Sequence, residues 1–222
     1  MGAGIDFFDV DHTLTRRSSG GRFVAAAMRQ SVLPRRLLFI LPWYSLMYRL
    51  GLFRPRAYAD GFPSLRGVTR ETLQRIARSS FDGALKADLF PSAVRLVRDR
   101  QAAGRRVVLA TSSLDLIVQP LAEFLGVDHV LATEMEFRDG ACTGRFAGTP
   151  MFRAAKKARV LSYLEAEGVA AADCAFYSDS IYDLPLLESV GHPVVVNPDF
   201  RLRWIARRRG WKVMAMRAAR PG

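Results

Sequence analysis

The stretch FFDVDHTL, residues 7–14, places two carboxylates two positions apart directly behind an apolar run. The apolar run GIDFFDV, residues 4–10, is typical of a buried strand. Asp9, Asp11 and Thr13 follow where that strand is expected to end. Like charges at such close spacing are unfavourable unless another group neutralises them. The stretch therefore predicts a buried strand that delivers a group of oxygen atoms to one point of the fold.

Similar short apolar runs recur along the chain, with helix-like segments between them. Further strands are predicted at 105–112, 127–133, 173–178 and 192–197, and helices at about 91–103, 114–125, 152–168 and 182–190. Such alternation is typical of a parallel sheet with helices on both faces. Residues 134–146 indicate a hairpin that turns at Asp139-Gly140, and 212–216 indicate a last edge strand.

Residues 15–90 interrupt this alternation, because they contain no clear strand. Their patterns are helical, at about 20–32, 34–50 and 69–81. We interpret them as a helical cap domain inserted after the first strand. Residues 1–14 and 91–222 then form an α/β core domain with a Rossmann-like parallel sheet. Ligands of open α/β sheets bind beyond the carboxyl ends of the strands, where a cap inserted at this point would lie.

The net charge of +12 is unevenly distributed along the chain. Residues 15–106 contain 19 Lys and Arg against 5 Asp and Glu, whereas 107–200 contain 6 against 13. A basic segment is expected to face an anion, such as a phosphorylated substrate, a membrane surface or nucleic acid. The alternative explanation is a general preference for arginine. The basic run 201–212 contains no nucleic-acid recognition motif, so a nucleic-acid partner is not expected.

The cysteines and the first residues of the chain indicate the cellular compartment of the protein. Cys142 and Cys174 are the only cysteines and lie far apart, so neither a disulfide framework nor a zinc site is expected. Asp6, Asp9 and Asp11 interrupt the only early apolar stretch, which indicates that no signal peptide opens the chain. We therefore expect a cytoplasmic protein.

The segment VLPRRLLFILPWYSLMYRLGLF, residues 32–53, is unusually apolar for a soluble cap. Its uncharged stretch, 37–48, would reach only about 18 Å as a helix, short of the ~30 Å of a bilayer core. Three alternatives stay open: a helical pair packed inside the cap, peripheral contact with the inner face of the membrane, or a dimer surface. The sequence does not determine the oligomeric state.

Polar groups from distant parts of the sequence are expected to meet at the carboxyl edge of the sheet. They are Asp9 and Asp11, then Thr111, Ser112 and Ser113, then Lys156 and Lys157, and finally Asp179 and Asp183. Oxygen-only ligands favour a hard cation such as Mg²⁺. Hydroxyls and a lysine could hold a phosphate group, and a carboxylate nucleophile could attack its phosphorus.

Four of these stretches resemble the motifs of one enzyme family, in the same order and with the same spacing. They are DVDHT (9–13), TSS (111–113), KKARVL (156–161) and SDSIYDLPLL (178–187). The chain thus resembles the haloacid dehalogenase superfamily, in its phosphoserine-phosphatase-like branch with a helical cap. The resemblance implies a Mg²⁺-dependent phosphatase that hydrolyses a small phosphorylated metabolite through an aspartyl-phosphate.

The resemblance also implies a role for each matching acid. Asp9 would be the nucleophile and a metal ligand. Asp11 would bind the metal through its backbone carbonyl, while its side chain protonates the leaving oxygen and later activates water. Asp179 would ligate the metal directly, and Asp183 would ligate it or orient its waters.

The remaining matches concern phosphate and substrate. Thr111, with Ser112 beside it, would bind the phosphate. Lys157 is the better match to the family lysine, with Lys156 as the alternative. Arg17 is a candidate substrate contact.

Two positions, His12 and Tyr182, depart from the residues usual at those places in the family, and the sequence assigns them no role. Arg16 and Arg17 follow the first motif without a Glu, which weakens the case for phosphoserine as the substrate. Two alternatives to a soluble metabolite phosphatase therefore stay open. One is a membrane-associated phosphatase of a lysophosphatidate or phosphatidylglycerophosphate type, and the other is a non-catalytic binding protein with the same fold.

Overall fold

The computed structural model describes residues 4–34 and 61–217, and its centre is a sheet of six parallel strands. The strands in these described ranges are β1 (Ile5–Phe8), β2 (Arg106–Leu114), β3 (His129–Thr133), β4 (Met135–Arg138), β5 (Ala141–Phe146), β6 (Ala175–Ser178), β7 (His192–Val196) and β8 (Lys212–Met214). The order in the large sheet is β3-β2-β1-β6-β7-β8, and β4 and β5 form a separate hairpin. The predicted Rossmann-like sheet, with β8 at one edge, is confirmed.

Helices cover both faces of this sheet. The α-helices of the described residues are α1 (Ser19–Arg29), α2 (Arg70–Ser80), α3 (Pro91–Ala102), α4 (Asp115–Leu125), α5 (Ala154–Ala166), α6 (Leu184–Leu187) and α7 (Phe200–Arg208). Side chains of β1 alternate between two apolar cores: Phe7 packs in the one that α5 and α7 cover, and Phe8 in the one that α3 and α4 cover. Because successive side chains of a strand point to opposite faces of the sheet, β1 contributes to the apolar core on each side.

One buried polar residue interrupts the apolar pattern of β1. Asp6 is fully buried and lies on the same face of the strand as Phe8. Arg100 and Arg105 both donate to its carboxylate, Arg105 at 2.6 Å. A buried carboxylate needs such partners, since desolvation of an unpaired charge is costly.

The predicted helix at 182–190 is much shorter in the structure. A single 3₁₀ turn, Ile181–Asp183, leads into the four residues of α6. Hydrogen bonds of side chains shape this turn: the backbone N–H of Tyr182 donates to the Ser180 hydroxyl, 3.3 Å away. Such local bonds compete with regular helix, so periodicity alone overestimated its length.

The segment that follows β1 leaves and rejoins the core at one place. The backbone N–H of Phe90 donates to the carbonyl of Leu14, and that of Arg16 donates to the carbonyl of Asp88. The Asp88 side chain is buried and accepts a 2.6 Å hydrogen bond from Arg22 of α1. The two ends of the insertion are therefore tied together beside the carboxyl edge of the sheet.

The insertion shares an apolar core with the β4–β5 hairpin. Leu73 and Ile76 of α2 and Phe23 of α1 pack in one cluster with Met135 and Cys142 of the hairpin. Two backbone hydrogen bonds reinforce the contact. The N–H of Gly67 donates to the carbonyl of Cys142, and the N–H of Cys142 donates to the carbonyl of Val68. The division into a core and a cap at residues 14 and 91 stays a prediction, and the hairpin contacts the insertion although the sequence assigned it to the core.

The hairpin turn is formed as predicted. Asp139 and Gly140 both have positive φ, 50° and 78°, as a two-residue hairpin turn requires.

Two predictions concern the apolar insertion segment. The predicted helix at 34–50 and nearly all of the segment 32–53 lie outside the described residues. Among residues 4–34 and 61–217, no helix is both long and apolar enough to cross a bilayer.

Candidate active site

Asp9 lies at the centre of the candidate site, one residue beyond the end of β1. Its backbone N–H donates to the carbonyl of Tyr177 on β6, so the chain is still anchored to the sheet at this point. Its side chain is buried, and its Oδ1 accepts a 2.8 Å hydrogen bond from Nζ of Lys156. The backbone of Asp9 is thus held by the sheet, and its carboxylate is held by an ammonium group.

Lys156, the alternative of the sequence analysis, contacts the acids of the site, so the geometry favours it over the preferred Lys157. Nζ of Lys156 lies 2.8 Å from both Asp9 Oδ1 and Asp183 Oδ2, and its side chain is 1% exposed. On α5, Lys156 is in phase with Val160 and Leu164, which are also buried against the sheet. Lys157 is rotated by about 100° from this face, since a helix has 3.6 residues per turn.

Asp11 is held by three donors. The backbone N–H of Ser19, the first residue of α1, donates to Oδ1 at 2.8 Å. The hydroxyls of Ser18 and Ser113 lie 3.2 Å and 3.3 Å from Oδ2. Both carboxylate oxygens are therefore oriented, by the start of the insertion on one side and by β2 on the other.

The two remaining acids, Asp179 and Asp183, follow the end of β6. Asp183 is buried, and its Oδ2 accepts hydrogen bonds from Ser178 Oγ at 2.6 Å as well as from Lys156. The Thr13 hydroxyl lies 3.5 Å from Oδ1 of Asp179. Because β1 and β6 are neighbours in the sheet, Asp9 and Asp179 stand at the ends of adjacent strands.

Burial changes the pKa values of two acids of the site and of Lys156. Burial raises the pKa of Asp9 to about 7, partly offset by Lys156. Burial, and then the charge of Asp9, raise the pKa of Asp179 well above its ordinary value. Burial lowers the pKa of Lys156, but Asp183 and Asp9 outweigh it, so that the pKa is raised and Lys156 stays charged.

The donor set fits a hard divalent cation. Among the described residues, Lys156 contacts two of the four carboxylates, Asp9 and Asp183. Burial, and then the charges of neighbouring carboxylates, raise the pKa of Asp179, and burial is also the main cause of the raised pKa of Asp9. Carboxylate oxygens are the ligands that Mg²⁺ prefers. Within residues 4–34 and 61–217, however, no three Asp, Glu, His or Cys side chains are gathered around one point. The fit is therefore one of chemistry and charge rather than of a complete ligand shell.

The residues predicted to bind phosphate and substrate differ in their burial. Thr111 is buried within β2, and its hydroxyl accepts the N–H of Ser113 at 3.2 Å. Ser112 is half-buried, and its carbonyl accepts the hydroxyl of Thr133. Arg17 is exposed, and no contact of its guanidinium with the site is seen in the described part of the chain.

Sequence reasoning missed Ser18 and Ser19, and it did not predict that Ser113, which it placed at this edge, contacts Asp11. Ser18 caps α1, because its hydroxyl accepts the N–H of Gly21, and it also donates to Asp11. The hydroxyls of Ser19 and Ser113 lie 2.8 Å apart. The signal was available for Ser18, since serine before a helical pattern is a typical N-cap. The contact of Ser19 with Ser113 depends on how the insertion docks, which periodicity cannot show.

A pocket of about 260 Å³ opens beside Asp179. His12 lines it together with Phe90, Asn197 and Asp199. His12 has a φ of 62°, an uncommon conformation for a residue with a side chain, so the turn after Asp11 is a tight one. Tyr182 lies elsewhere, buried, with its ring 4.9 Å from that of Phe152.

Comparison with known proteins agrees with this geometry. The sequence profile of the haloacid dehalogenase-like hydrolases matches residues 7–188, which include all the acids of the site and Lys156. The chain belongs to this family.

Relatives in the haloacid dehalogenase-like family extend the comparison. A phosphoserine phosphatase of Mycobacterium tuberculosis is 33% identical over 221 residues, which cover 96% of this chain and 71% of that protein. A histidinol-phosphatase of Neisseria meningitidis is 32% identical over 154 residues, 68% of this chain and 69% of that protein. The expected family and the expected enzyme class, a phosphatase, are confirmed.

A solved structure has a fold similar to that of this haloacid dehalogenase-like protein. A protein of unknown function from Bordetella pertussis has a TM-score of 0.86 and 32% identity, and the match covers 98% of this chain and 100% of that one.

Proposed function

We propose that the protein is a Mg²⁺-dependent phosphomonoesterase that works through a phosphorylated Asp9. The contact of buried Lys156 with both Asp9 and Asp183, at 2.8 Å each, is the observation that carries the proposal. A carboxylate that only stabilised the fold would not need to stand at the carboxyl edge of the sheet, where ligands bind.

Asp9 is the nucleophile in this proposal. One oxygen of its carboxylate attacks the phosphorus of the substrate, a new P–O bond to Asp9 forms, and the ester P–O bond breaks. Lys156 stays protonated throughout, because its pKa is raised by Asp183 and Asp9 against the effect of burial. Its positive charge offsets the repulsion between the carboxylate and the incoming phosphate.

Asp11 moves the protons. It donates one to the leaving oxygen of the substrate in the first step and accepts one from water in the second, when the P–O bond to Asp9 breaks and inorganic phosphate leaves. Three hydrogen bonds to its two oxygens fix its direction. General acid–base catalysis of this kind contributes about 10²- to 10⁴-fold to a rate.

Asp9, Asp179 and the backbone carbonyl of Asp11 would hold Mg²⁺, with Asp183 behind them. The cation would supply positive charge that neutralises the carboxylates and the phosphate oxygens. The raised pKa values of Asp9 and Asp179 support this assignment, because burial, with repulsion from the neighbouring carboxylates as a smaller cause, disfavours their charged forms and a cation would offset both effects.

Phosphate oxygens are proposed to meet the end of β2. Thr111 and Ser112 lie there, directly before Ser113, whose hydroxyl lies 3.3 Å from Asp11. Hydroxyl and backbone N–H groups at the carboxyl end of a strand are suitable donors for a phosphate.

The substrate class is proposed to be a small phosphomonoester. The relatives named for phosphoserine and histidinol phosphate both act on such compounds, and the insertion starts directly beside Asp11. We place the enzyme in the cytoplasm, a proposal that follows from this class of substrate.

A phosphatase screen tests the proposal. Purified protein is assayed with p-nitrophenyl phosphate and with phosphorylated amino acids, amino alcohols, sugars and lipids, with and without Mg²⁺. We expect Mg²⁺-dependent release of phosphate that Asp9→Asn abolishes, whereas Asp139→Asn, in the hairpin turn, leaves it intact. Retained turnover in Asp9→Asn would contradict the proposal.

A further inference from the structure

The segment from residue 200 to residue 214 exposes three large apolar side chains. On α7, Phe200 is 71% exposed and Trp204 is 58% exposed, whereas Leu202 and Ala206 are buried. Residues four apart share one face of a helix, so the two rings point outward together. Of the four large apolar side chains that are exposed in the described part of the chain, three lie here, the third being Val213 of β8.

Val213 lies on the same face of the sheet as α7. It is paired with Val195 of β7, which packs in the core beneath Leu202. We call Phe200, Trp204, Val213 and the basic residues around them the C-terminal surface.

The C-terminal surface is strongly basic. Its cations are Arg201, Arg203, Arg207, Arg208 and Lys212, and residues 200–217 contain no acid. Two guanidinium groups lie against the exposed rings: Arg208 is 4.4 Å from the ring centre of Trp204, and Arg201 is 5.7 Å from that of Phe200. Cations and apolar rings are therefore intermixed.

The C-terminal surface begins at the rim of the active-site pocket. Asp199 caps α7 by accepting the N–H of Leu202, and its other oxygen accepts the N–H of Ile181. Asp199 also lines the pocket beside Asp179. Phe200 is the next residue, so whatever binds the C-terminal surface also approaches the pocket.

We propose that the C-terminal surface docks on an anionic phospholipid bilayer. Phe200, Trp204 and Val213 would enter the interface, and the arginines would meet the phosphates of the headgroups. A bilayer fits better than nucleic acid, because Val213 has no ring on which a base could stack and the rings lie on the outward face of a helix rather than in a groove. Docking concerns a surface outside the catalytic group and does not depend on the proposed reaction.

Vesicle flotation of the full chain tests this proposal. The two probes are vesicles of phosphatidylcholine alone and vesicles of equal parts phosphatidylcholine and phosphatidylglycerol. We expect the anionic vesicles to bind at least about tenfold more tightly, since each basic residue near an anionic surface contributes severalfold. The double change Phe200→Ser with Trp204→Ser should weaken that binding by about tenfold or more, because it removes two apolar side chains from the interface.

Controls make the outcome specific to the C-terminal surface. Phe62→Ser removes another exposed aromatic residue, 37% exposed, and should leave binding unchanged. Thermal unfolding followed by circular dichroism checks that each variant is folded, and neither readout requires enzymatic activity. Equal binding to both kinds of vesicle, unchanged binding of the double variant, or tighter binding to a single-stranded oligonucleotide than to anionic vesicles would each overturn the proposal.

Discussion

At the scale of single residues, two neighbouring lysines have opposite surroundings. Nζ of Lys156 contacts two buried carboxylates, whereas Lys157 is only half-buried, one position further around α5. Changing Lys156 to Met should lower kcat for p-nitrophenyl phosphate by about 10²-fold or more, as for loss of a charged group that stabilises a transition state. Lys157→Met is the matched control and should stay within about threefold of the wild type, because Lys157 lies about 100° around α5 from the face that carries Lys156.

The Lys156 comparison needs a check on folding, because Lys156→Met leaves two buried acids without their cation. Loss of one partner of a buried ion pair costs about 3–5 kcal/mol of unfolding free energy. Urea unfolding of both variants separates the two effects. A folded Lys156→Met enzyme with wild-type kcat would contradict the assigned role.

Asp11 makes a prediction that depends on the leaving group. An alkyl leaving oxygen needs a proton in the transition state, whereas p-nitrophenolate leaves without one. Asp11→Asn should therefore reduce kcat/KM for an alkyl phosphate such as phosphoserine by about 10²-fold or more, and for p-nitrophenyl phosphate much less. Steady-state kinetics with both substrates measure the difference. Equal losses would show that Asp11 does not protonate the leaving oxygen.

The sequence could not distinguish the two lysines, and the reason is physical. Both Lys156 and Lys157 are followed at helical spacing by apolar residues, Val160 and Leu161, so either could face the sheet. The rotation of α5 is set by how it packs over β1 and β6, which is a tertiary property. The acids were easier to predict, since the end of a buried strand fixes their position directly.

At the scale of elements, the insertion and the hairpin fit together through glycines. Gly61 has a φ of 77°, and a Cβ atom there would lie 2.3 Å from the carbonyl oxygen of Gly144. Gly67, in the same segment, has a φ of 83° but nothing within 4 Å of such a Cβ. An alanine at either position would be strained by the positive φ. Only at Gly61 would its Cβ atom also clash with the hairpin.

This pair of glycines gives a matched test of the insertion–hairpin contact. Gly67→Ala should lower the free energy of unfolding by about 1 kcal/mol, the cost of a side chain in the left-handed region. Gly61→Ala should lower it by a further ~1–3 kcal/mol, because the backbone must move. Denaturant unfolding measures both. Equal effects would show that the close approach of the hairpin is not maintained in solution.

The start of α4 makes a prediction about pH. Asp115 is the first residue of this helix, and burial raises its pKa. Its Oδ1 is buried and has no hydrogen-bond partner among residues 4–34 and 61–217. A carboxyl group with a raised pKa in the folded state stabilises the fold at acid pH, and this contribution is lost as the pH rises through that pKa. Asp115→Asn stays neutral, so its stability relative to the wild type should increase from acid toward neutral pH. Urea unfolding across that range measures the difference, and a constant difference would contradict the prediction.

Elements were predicted well where one property determined them. The hairpin turn followed from Asp139-Gly140, because both residues tolerate positive φ. The helix at 182–190 was overestimated, because hydrogen bonds of Ser178 and Ser180 hold residues 178–183 in a turn. That the hairpin packs on α1 and α2 could not be predicted, since it depends on contacts between segments distant in sequence.

At the scale of the whole molecule, metal and fold should be coupled. If Mg²⁺ binds the native acids and not the unfolded chain, it stabilises the fold by an amount that grows with its concentration. Adding Mg²⁺ to EDTA-treated protein should therefore raise the melting temperature and restore phosphatase activity together. Asp179→Asn should reduce both responses, because it removes a proposed ligand. A melting temperature that does not respond to Mg²⁺ in the wild type would contradict the assignment.

The central claim is that a phosphoryl group resides briefly on Asp9, and trapping it is the most direct test. Asp11→Asn enzyme, in which water is activated slowly, is incubated with Mg²⁺ and p-nitrophenyl phosphate, quenched in acid and analysed by mass spectrometry of its peptides. We predict one added phosphoryl group on the peptide that contains Asp9, and none when Asp9→Asn is combined with Asp11→Asn. Turnover by the wild type with no phosphorylated Asp9 peptide under these conditions, or a phosphoryl group on another residue, would contradict the mechanism.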